Sequence, residues 1–231
     1  MLINNYDIKS KYGAILSEKK ISPCKTNIGI EWLKNSLSPF IIDKQTKFCS
    51  IKCKFTFTAD TEQEFEKRFS EFNKNIIECN IRFDNINMNY HCYIDNVDDP
   101  ERITPYYWET SAEWIGYKYG DEVTEILNHV ESKTIIVDGN LPTPAIVTIT
   151  VPIDTIDMRL IGFGGDIVVR NLKANTPIII NGEEGTITEN WRNKFADTDM
   201  WEFPKLAPGK NTITTSKANS NINIKYKPRW I

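Results

Sequence analysis

From residue 134 to residue 226 the chain is a series of short apolar, largely β-branched runs separated by turn signals, with no helical period anywhere in that stretch. The runs fall at 134–137, 145–151, 157–161, 167–169, 178–180, 185–188, 209–214 and 221–226, and Asp138-Gly139, Gly164-Gly165, Asn181-Gly182 and Pro208-Gly209 punctuate them. Gly supplies the positive φ that tight turns need, and Asn-Gly between strand-like runs is a strong hairpin signal. Many short strands spaced ~8–12 residues apart, with no helix between them, point to a β-sandwich.

The first half follows a different rule. Ile51, Cys53, Phe55 and Phe57 alternate with Lys52, Lys54, Thr56 and Thr58, the period of two expected of a half-buried strand. The period then changes. Phe65, Phe69, Phe72 and Ile76 recur by four, three and four, with Glu64, Lys67, Arg68, Glu71 and Lys74 off that stripe. Thr61 and Glu64 form a capping-box pattern just ahead of it, so a helix is expected over about 61–76. The apolar stripe fits packing against the neighbouring sheet better than a partner-binding face. Alternation returns at Cys79, Ile81 and Phe83, and again at Met88, Tyr90, Cys92 and Ile94, with a turn at Asp84-Asn85 between them. Strand, helix, then several strands joined by short turns describe an α+β domain: an antiparallel sheet or sandwich with one flanking helix. Around 116–133 the pattern weakens into a charged, non-periodic stretch. The boundary is therefore expected there, giving domains of 1–132 and 133–231.

Composition narrows the function. Lys and Arg total 28 against 31 acidic residues, a net charge of -3 that gives no basic face for wrapping nucleic acid. The longest apolar stretches are far short of the ~20 residues a membrane span needs, and the N-terminus lacks a signal-peptide pattern. A protein folded in a cytoplasm is expected, with no membrane partner. The five cysteines, Cys24, Cys49, Cys53, Cys79 and Cys92, are odd in number and make no paired metal-binding spacing. They are expected to be reduced and mostly buried.

Catalytic patterns are sparse. The two histidines, His91 and His129, have no partner at metal-ligand spacing. Asp98, Asp99 and Glu101 sit at a proline turn, and Glu183 and Glu184 at a hairpin tip, positions that suit solvated loops better than a glycosidase pair. Gly162-Phe163-Gly164-Gly165 is followed by another strand-like run, not by the helix of a dinucleotide site, so it is expected to be a hairpin turn. No catalytic residue, cofactor or metal is expected. Trp191, Phe195, Trp201 and Phe203 cluster in one segment. They can pack, face a neighbouring subunit, or stack on sugar rings, and Trp191 and Trp201 are the candidate outward or sugar contacts.

Four segments of the second half carry a family resemblance. Val137-Asp138-Gly139-Asn140-Leu141-Pro142-Thr143-Pro144-Ala145 resembles the opening strand of the C-terminal domain of bacteriophage distal tail (Dit) proteins. Ile178-Ile179-Ile180-Asn181-Gly182 through Gly185-Thr186-Ile187-Thr188 resembles that family's hairpin. Phe203-Pro204-Lys205-Leu206-Ala207-Pro208-Gly209-Lys210-Asn211 resembles its Phe-Pro-x-Leu-x-Pro-Gly-x-Asn run, and Tyr226-Lys227-Pro228-Arg229-Trp230 its Tyr-x-Pro-Arg-Trp end. The four lie in the expected order, and the first half matches by pattern more than by motif.

The resemblance implies a mainly β protein: a tail-tube-like N-terminal domain followed by a galectin-like β-sandwich. It implies a non-enzymatic virion component, assembled in the host cytoplasm. Copies would form a hexameric ring that joins the tail tube protein to the tail tip or baseplate hub protein and lets DNA pass without sequence-specific binding. The lumen is then expected to be acidic or neutral. Ring closure repeats one heterologous interface about a closed axis, by edge-strand pairing and apolar contact. Tyr106, Tyr107, Trp108 and Trp114 are the candidate assembly contacts, because large aromatics favour interface cores, though they suit the domain's own core equally. The competing readings are a carbohydrate-binding module of a tail or cell-surface protein and a tail-associated hydrolase. Loops between the expected strands are short, which argues against an inserted host-binding module.

Overall fold

The computed structural model describes residues 1–24, 26–46 and 48–231. The chain divides into two compact units, Met1–Tyr119 with Ile231, and Gly120–Trp230.

The first unit opens with a small hairpin, β1 (Leu2–Ile3) and β2 (Tyr6–Asp7), whose two-residue turn is Asn4-Asn5, both at positive φ. Asn tolerates that region because its short side chain bonds locally. Helix α1 (Ile8–Tyr12) follows, capped by Asp7 and closed by Gly13 at φ 66. A side chain at Gly13 would meet the Thr58 carbonyl and the Arg68 guanidinium, so both the backbone angle and the space demand glycine here.

Five longer strands complete the main sheet: β3 (Ala14–Ile21), then, after a separate hairpin β4 (Thr26–Glu31) and β5 (Phe40–Thr46), β6 (Cys49–Thr58), and beyond helix α2 (Glu62–Ile76) β7 (Glu78–Arg82), β8 (Asn89–Val97) and, after the short β9 (Glu101–Thr104), β10 (Tyr107–Tyr119). The order across the sheet is β2-β1-β7-β8-β10-β6-β3, antiparallel throughout, with β9 beside β10. Strands β6 and β10 pair without a break from Tyr107↔Thr58 to Gly116↔Cys49. The period-two expectation holds along β6, where Cys49, Ile51, Cys53, Phe55 and Phe57 are buried and Lys52 is exposed.

Helix α2 starts where the capping box places it. Thr61 lies in extended backbone and its hydroxyl accepts the Glu64 N–H at 3.2 Å, while Glu64 accepts the Asp60 N–H at 3.0 Å. Phe65, Phe72 and Ile76 are buried on the sheet and Phe69 packs beside them, so the stripe is a core face. The packing is aromatic and mostly edge-on. The Phe72 ring centre lies 5.2 Å from Phe55, 5.2 Å from Phe57 and 5.5 Å from Tyr12. Such geometry sets the positive ring edge on a negative face and adds about 0.5–1.5 kcal/mol per pair beyond burial. Phe72→Ala should therefore destabilise the protein by about 3–5 kcal/mol in urea unfolding followed by fluorescence.

Cys49, Cys53, Cys79 and Cys92 are buried in this core and Cys24 is half-buried; all five are free thiols. Burial pushes the Cys53 and Cys79 thiols up to about 12 and Cys49 to about 11, and raises Cys92 as well. Because the thiolate is the reactive form, a thiol-disulfide reagent at pH 8 should modify Cys24 alone in the native protein and all five cysteines in denaturant, as read by mass spectrometry.

The second unit is a two-sheet β-sandwich. One sheet runs β11 (Val123–Asn128), β22 (Asn221–Tyr226), β13 (Thr143–Thr150), β16 (Ile178–Asn181), β17 (Thr186–Glu189) and β18 (Arg192–Asn193), with β20 (Lys205–Leu206) beside β13. The other runs β12 (Ser132–Val137), β21 (Gly209–Thr215), β14 (Thr155–Phe163), β15 (Gly165–Leu172) and β19 (Thr198–Met200). Strand β13 alternates strictly, with Thr143, Ala145, Val147 and Ile149 inward. Ala145, Val147 and Ile149 meet Met158, Leu160, Phe163, Ile167, Val169, Ile213 and Ile224 in one apolar cluster. The glycine-rich segment is the expected hairpin: Phe163 pairs with Gly165 around Gly164 at φ 93.

The contact boundary falls at Gly120, earlier than the 132/133 boundary expected from the sequence. Strand β11 lies in between and pairs with β22 from Val123↔Tyr226 to Asn128↔Asn221. It is an edge strand in which Leu127 alone is buried and Ile126 is exposed, so its alternation is too broken to read as a strand.

Candidate assembly surface

Hairpin β4–β5 forms a two-stranded sheet of its own, paired from Thr26↔Thr46 to Glu31↔Phe40 with a bulge between Gly29 and Ile30. Its half nearer the connecting loop is rich in bulky apolar residues. Ile30 and Ile41 are cross-strand partners and so share one face; Phe40 and Ile42, on either side of Ile41, take the other. Ile28, Ile30, Phe40, Ile41 and Ile42 are nonetheless exposed, and so are Trp32, Leu33 and Leu37 in the connecting loop, Leu37 almost completely. Apolar side chains on both faces are what a strand covered on both faces carries. A two-stranded hairpin alone in water is marginal at best, and a patch of this character marks an interaction surface. The free edge of β3, by contrast, is blunted by exposed Glu18, Lys19 and Lys20 and by a bulge between Leu16 and Glu18.

The four aromatic residues expected at the assembly contact separate into two pairs. Trp108 and Trp114 belong to the interior. Trp114 is fully buried and its indole N–H donates to the Ile76 carbonyl at 3.0 Å, closing the C-terminal end of α2. Trp108 is 4% exposed and stacks on Phe65, with ring centres 4.5 Å apart and planes 6° apart. Core packing takes both because β10 alternates and they fall on its helix-facing side. Tyr106 and Tyr107 remain exposed, beside a shallow depression that Thr58, Ala59, Asp60, Glu64 and Arg68 also line. Arg68 is held there by its bond to the Thr58 carbonyl at 2.6 Å and its ion pair with Glu64 at 2.6 Å.

The sandwich presents its own aromatics. Trp191 and Trp201 are each 97% exposed. Trp191 sits at the tip of the β17–β18 hairpin, where Asn190 and Trp191 have φ of 50° and 64° and Glu189 pairs with Arg192. That is the two-residue turn whose second position favours glycine. A bulky residue in the left-handed region costs about 1–2 kcal/mol. Trp191→Gly should accordingly raise stability by about 1 kcal/mol in equilibrium unfolding, because no packing is lost.

Behind this turn Lys194 is buried, its ammonium donating to Glu189 at 3.0 Å, Asp197 at 3.2 Å and the Asn171 carbonyl at 3.1 Å. Burial works against the charged lysine, but the hydrogen bonds to Glu189 and Asp197 outweigh it and hold its pKa above the ordinary value. A hydrogen bond from Asn171, followed by that from Lys194, holds the Asp197 carboxyl below its ordinary value.

The histidines and surface carboxylates take local roles. His91 lies on the face of β8 away from the helix, with Nδ1 3.0 Å from Asn80 Oδ1 and Nε2 3.0 Å from the Tyr93 hydroxyl. His129 occupies a turn at φ 53. Glu183 sits at the tip of the β16–β17 hairpin, 3.4 Å from Arg229, and the Asn181 side chain accepts the N–H groups of Glu183 and Glu184. Among the described residues no group of three or more His, Cys, Asp or Glu side chains converges as a metal site.

Comparisons with known proteins agree with this architecture. Residues 138–230 match the family model described as the siphovirus-type tail component, C-terminal domain. A search of curated proteins finds no significant match. The Dit protein (gp 19.1) of phage SPP1, described as a paradigm of the hub adsorption apparatus in phages that infect Gram-positive bacteria, shares the fold over 100% of this chain and 98% of its own, with a TM-score of 0.76 and 11% identity. The activated baseplate of phage P2 with calcium contains a chain that matches with a TM-score of 0.57 and 12% identity, over 95% of this chain and 92% of that one. Its strontium form gives 0.57 and 12% over 98% and 94%. The class defined by the sandwich is therefore that of the C-terminal domain of siphovirus-type tail components. Along its whole length the chain shares the fold of SPP1 Dit, and its sandwich also matches the tail-component family model.

Proposed function

We propose that copies of this chain close into a ring, hexameric, at the distal end of the tail tube, joining the tube protein to the tail tip or baseplate hub and leaving an axial channel for DNA. The first unit supplies the repeated contact, and the sandwich faces outward toward other tail parts. The role is structural, with no reaction catalysed.

The observation that carries this reading is hairpin β4–β5, apolar on both faces and exposed in the single chain. A second copy is the occupant that chemistry favours. The contact of a closed ring is head-to-tail: one surface of a subunit meets a different surface of the next. An apolar hairpin reaching onto a neighbour's sheet satisfies both its faces and repeats around the axis. Exposed Tyr106 and Tyr107 are the aromatic contacts left to receive a neighbour. The net charge of -3 suits a channel that passes DNA without holding it.

The purified protein should show concentration-dependent assembly above the monomer in light scattering. Ile30→Lys combined with Ile41→Lys should abolish it, while unfolding stability stays within about 0.5 kcal/mol of the parent, as expected of exposed positions outside the core. A parent protein that stays monomeric at every concentration, both alone and with its tube and hub partners, would overturn the ring.

A further inference from the structure

We infer that Cys24 and Cys49 are a disulfide-forming thiol pair at the root of hairpin β4–β5, closed by a small-molecule disulfide such as oxidised glutathione. The two cysteines flank the hairpin in the chain: Cys24 precedes β4, and Cys49 opens β6 behind β5. They also meet in space. Strand β3 pairs with β6 up to Ile21↔Ile51, and the Ser22 N–H donates to the Ser50 carbonyl at 2.8 Å. One step further, that register sets Pro23 opposite Cys49 and Cys24 a single residue beyond. Neighbouring strands about 4.8 Å apart keep such a diagonal pair within the Cα range, about 4.4–6.8 Å, that a disulfide spans. The Cys24 side chain packs against the core cluster in which Cys49 is buried, and the two thiols lie within hydrogen-bonding reach of each other.

Access and burial set the order of events. Cys24 is half-buried and open to a reagent, while Cys49 is closed off. The Cys24 thiolate attacks one sulfur of oxidised glutathione and expels a glutathione thiolate, leaving a mixed disulfide. The Cys49 thiolate then attacks the Cys24 sulfur and expels the second glutathione. Two electrons and the two thiol protons leave with two reduced glutathiones. Burial, the largest effect on Cys49, pushes its thiol up to about 11, so about one in a thousand is ionised at pH 8. The adduct on Cys24 is therefore the early product and closure the slow one. Cys79 and Cys92 face each other across β7 and β8, but both lie in the core and burial raises both thiols, so the oxidant reaches neither.

The bond closes a loop that holds the whole hairpin. Hairpin β4–β5 pairs with no strand of the main sheet. Tying residue 24 to residue 49 removes conformational freedom from everything between them. The hairpin's aim at a neighbouring copy is then fixed more tightly, a consequence that rests on the ring reading above. A reducing cytoplasm keeps the thiols apart and an oxidising medium joins them. The reduced chain is thus the one that assembles, and the oxidised one is locked. A metal ion is a poorer reading of the pair, because among the described residues no third ligand converges on it.

The test is incubation of the whole native protein with oxidised glutathione at pH 8, quenching in acid, and peptide mapping without reduction. One linked peptide should join Cys24 to Cys49, preceded by a glutathione adduct on Cys24 and reversed by dithiothreitol. Cys49→Ser keeps a donor for the Gly116 carbonyl, which the Cys49 thiol now serves, and should stop at the adduct. Cys24→Ser should give neither product. Amide hydrogen exchange over residues 26–46 should slow about tenfold in the linked protein and stay unchanged in β6 and β10. No reaction at Cys24, or an adduct there that never closes in the parent, overturns the proposal. So does a link confined to Cys79 and Cys92, or a Cys24–Cys49 link that leaves exchange of the hairpin unaltered. None of these readouts needs self-assembly: a monomer that forms the link sinks the ring alone, and a ring that never forms it sinks this pair alone.

Discussion

The unbroken pairing of β6 with β10 is what the first unit depends on. Ten consecutive residue pairs fix the register from Tyr107↔Thr58 to Gly116↔Cys49. With a side-chain period of two, that register decides everything on both faces. It turns Phe55, Phe57 and Trp108 toward α2, where they meet Phe65 and Phe72 edge to face or stacked, and sets Trp114 edge-on to Phe55. A slip of one residue would bring Lys52 and Lys54 into the helix interface and put the aromatics in water. Helix, sheet and the indole bond from Trp114 to the end of α2 are consequences of one register.

The apolar core of the unit is closed between α2 and the sheet, and the rest of the unit lies outside it. The hairpin β4–β5 takes no part in the main sheet, yet Ile28, Ile30, Phe40, Ile41 and Ile42 on it are exposed. That exposed apolar surface is what the proposed contact between copies would cover. The sandwich manages surface differently. Its inner faces are closed on each other by β13, β14, β15 and β22. It also exposes large apolar side chains at scattered positions, among them Trp191, Trp201, Ile136, Ile153 and Ile156.

Much of this was legible in residue order. Alternation at 51–58 and the four-three-four spacing at 65–76 correspond to β6 and α2, and the turn dipeptides in the second half lie between the strands found there. The four motifs that resemble Dit proteins fall within residues 137–230, and the family match covers 138–230. Less visible was β11, whose pattern is broken because an edge strand buries few side chains. The pieces β18, β19 and β20 are too short to carry a period at all.

Sequence by itself determined the secondary-structure classes, the two-part organisation and the Dit-like character, because each is written in local periodicity, turn chemistry and ordered motifs. Only the tertiary structure decided which aromatics are inside. Trp108 and Trp114 differ from Tyr107 by position along a strand and by what lies across it, and Tyr106 differs by falling in the turn before that strand. Neither the Lys194 constellation nor the self-contained apolar hairpin could be read from spacing. The first joins Asn171 to residues 189–197, and the second is recognised only when no other strand comes to cover it. Burial depends on neighbours distant in the chain, and a linear pattern does not record them.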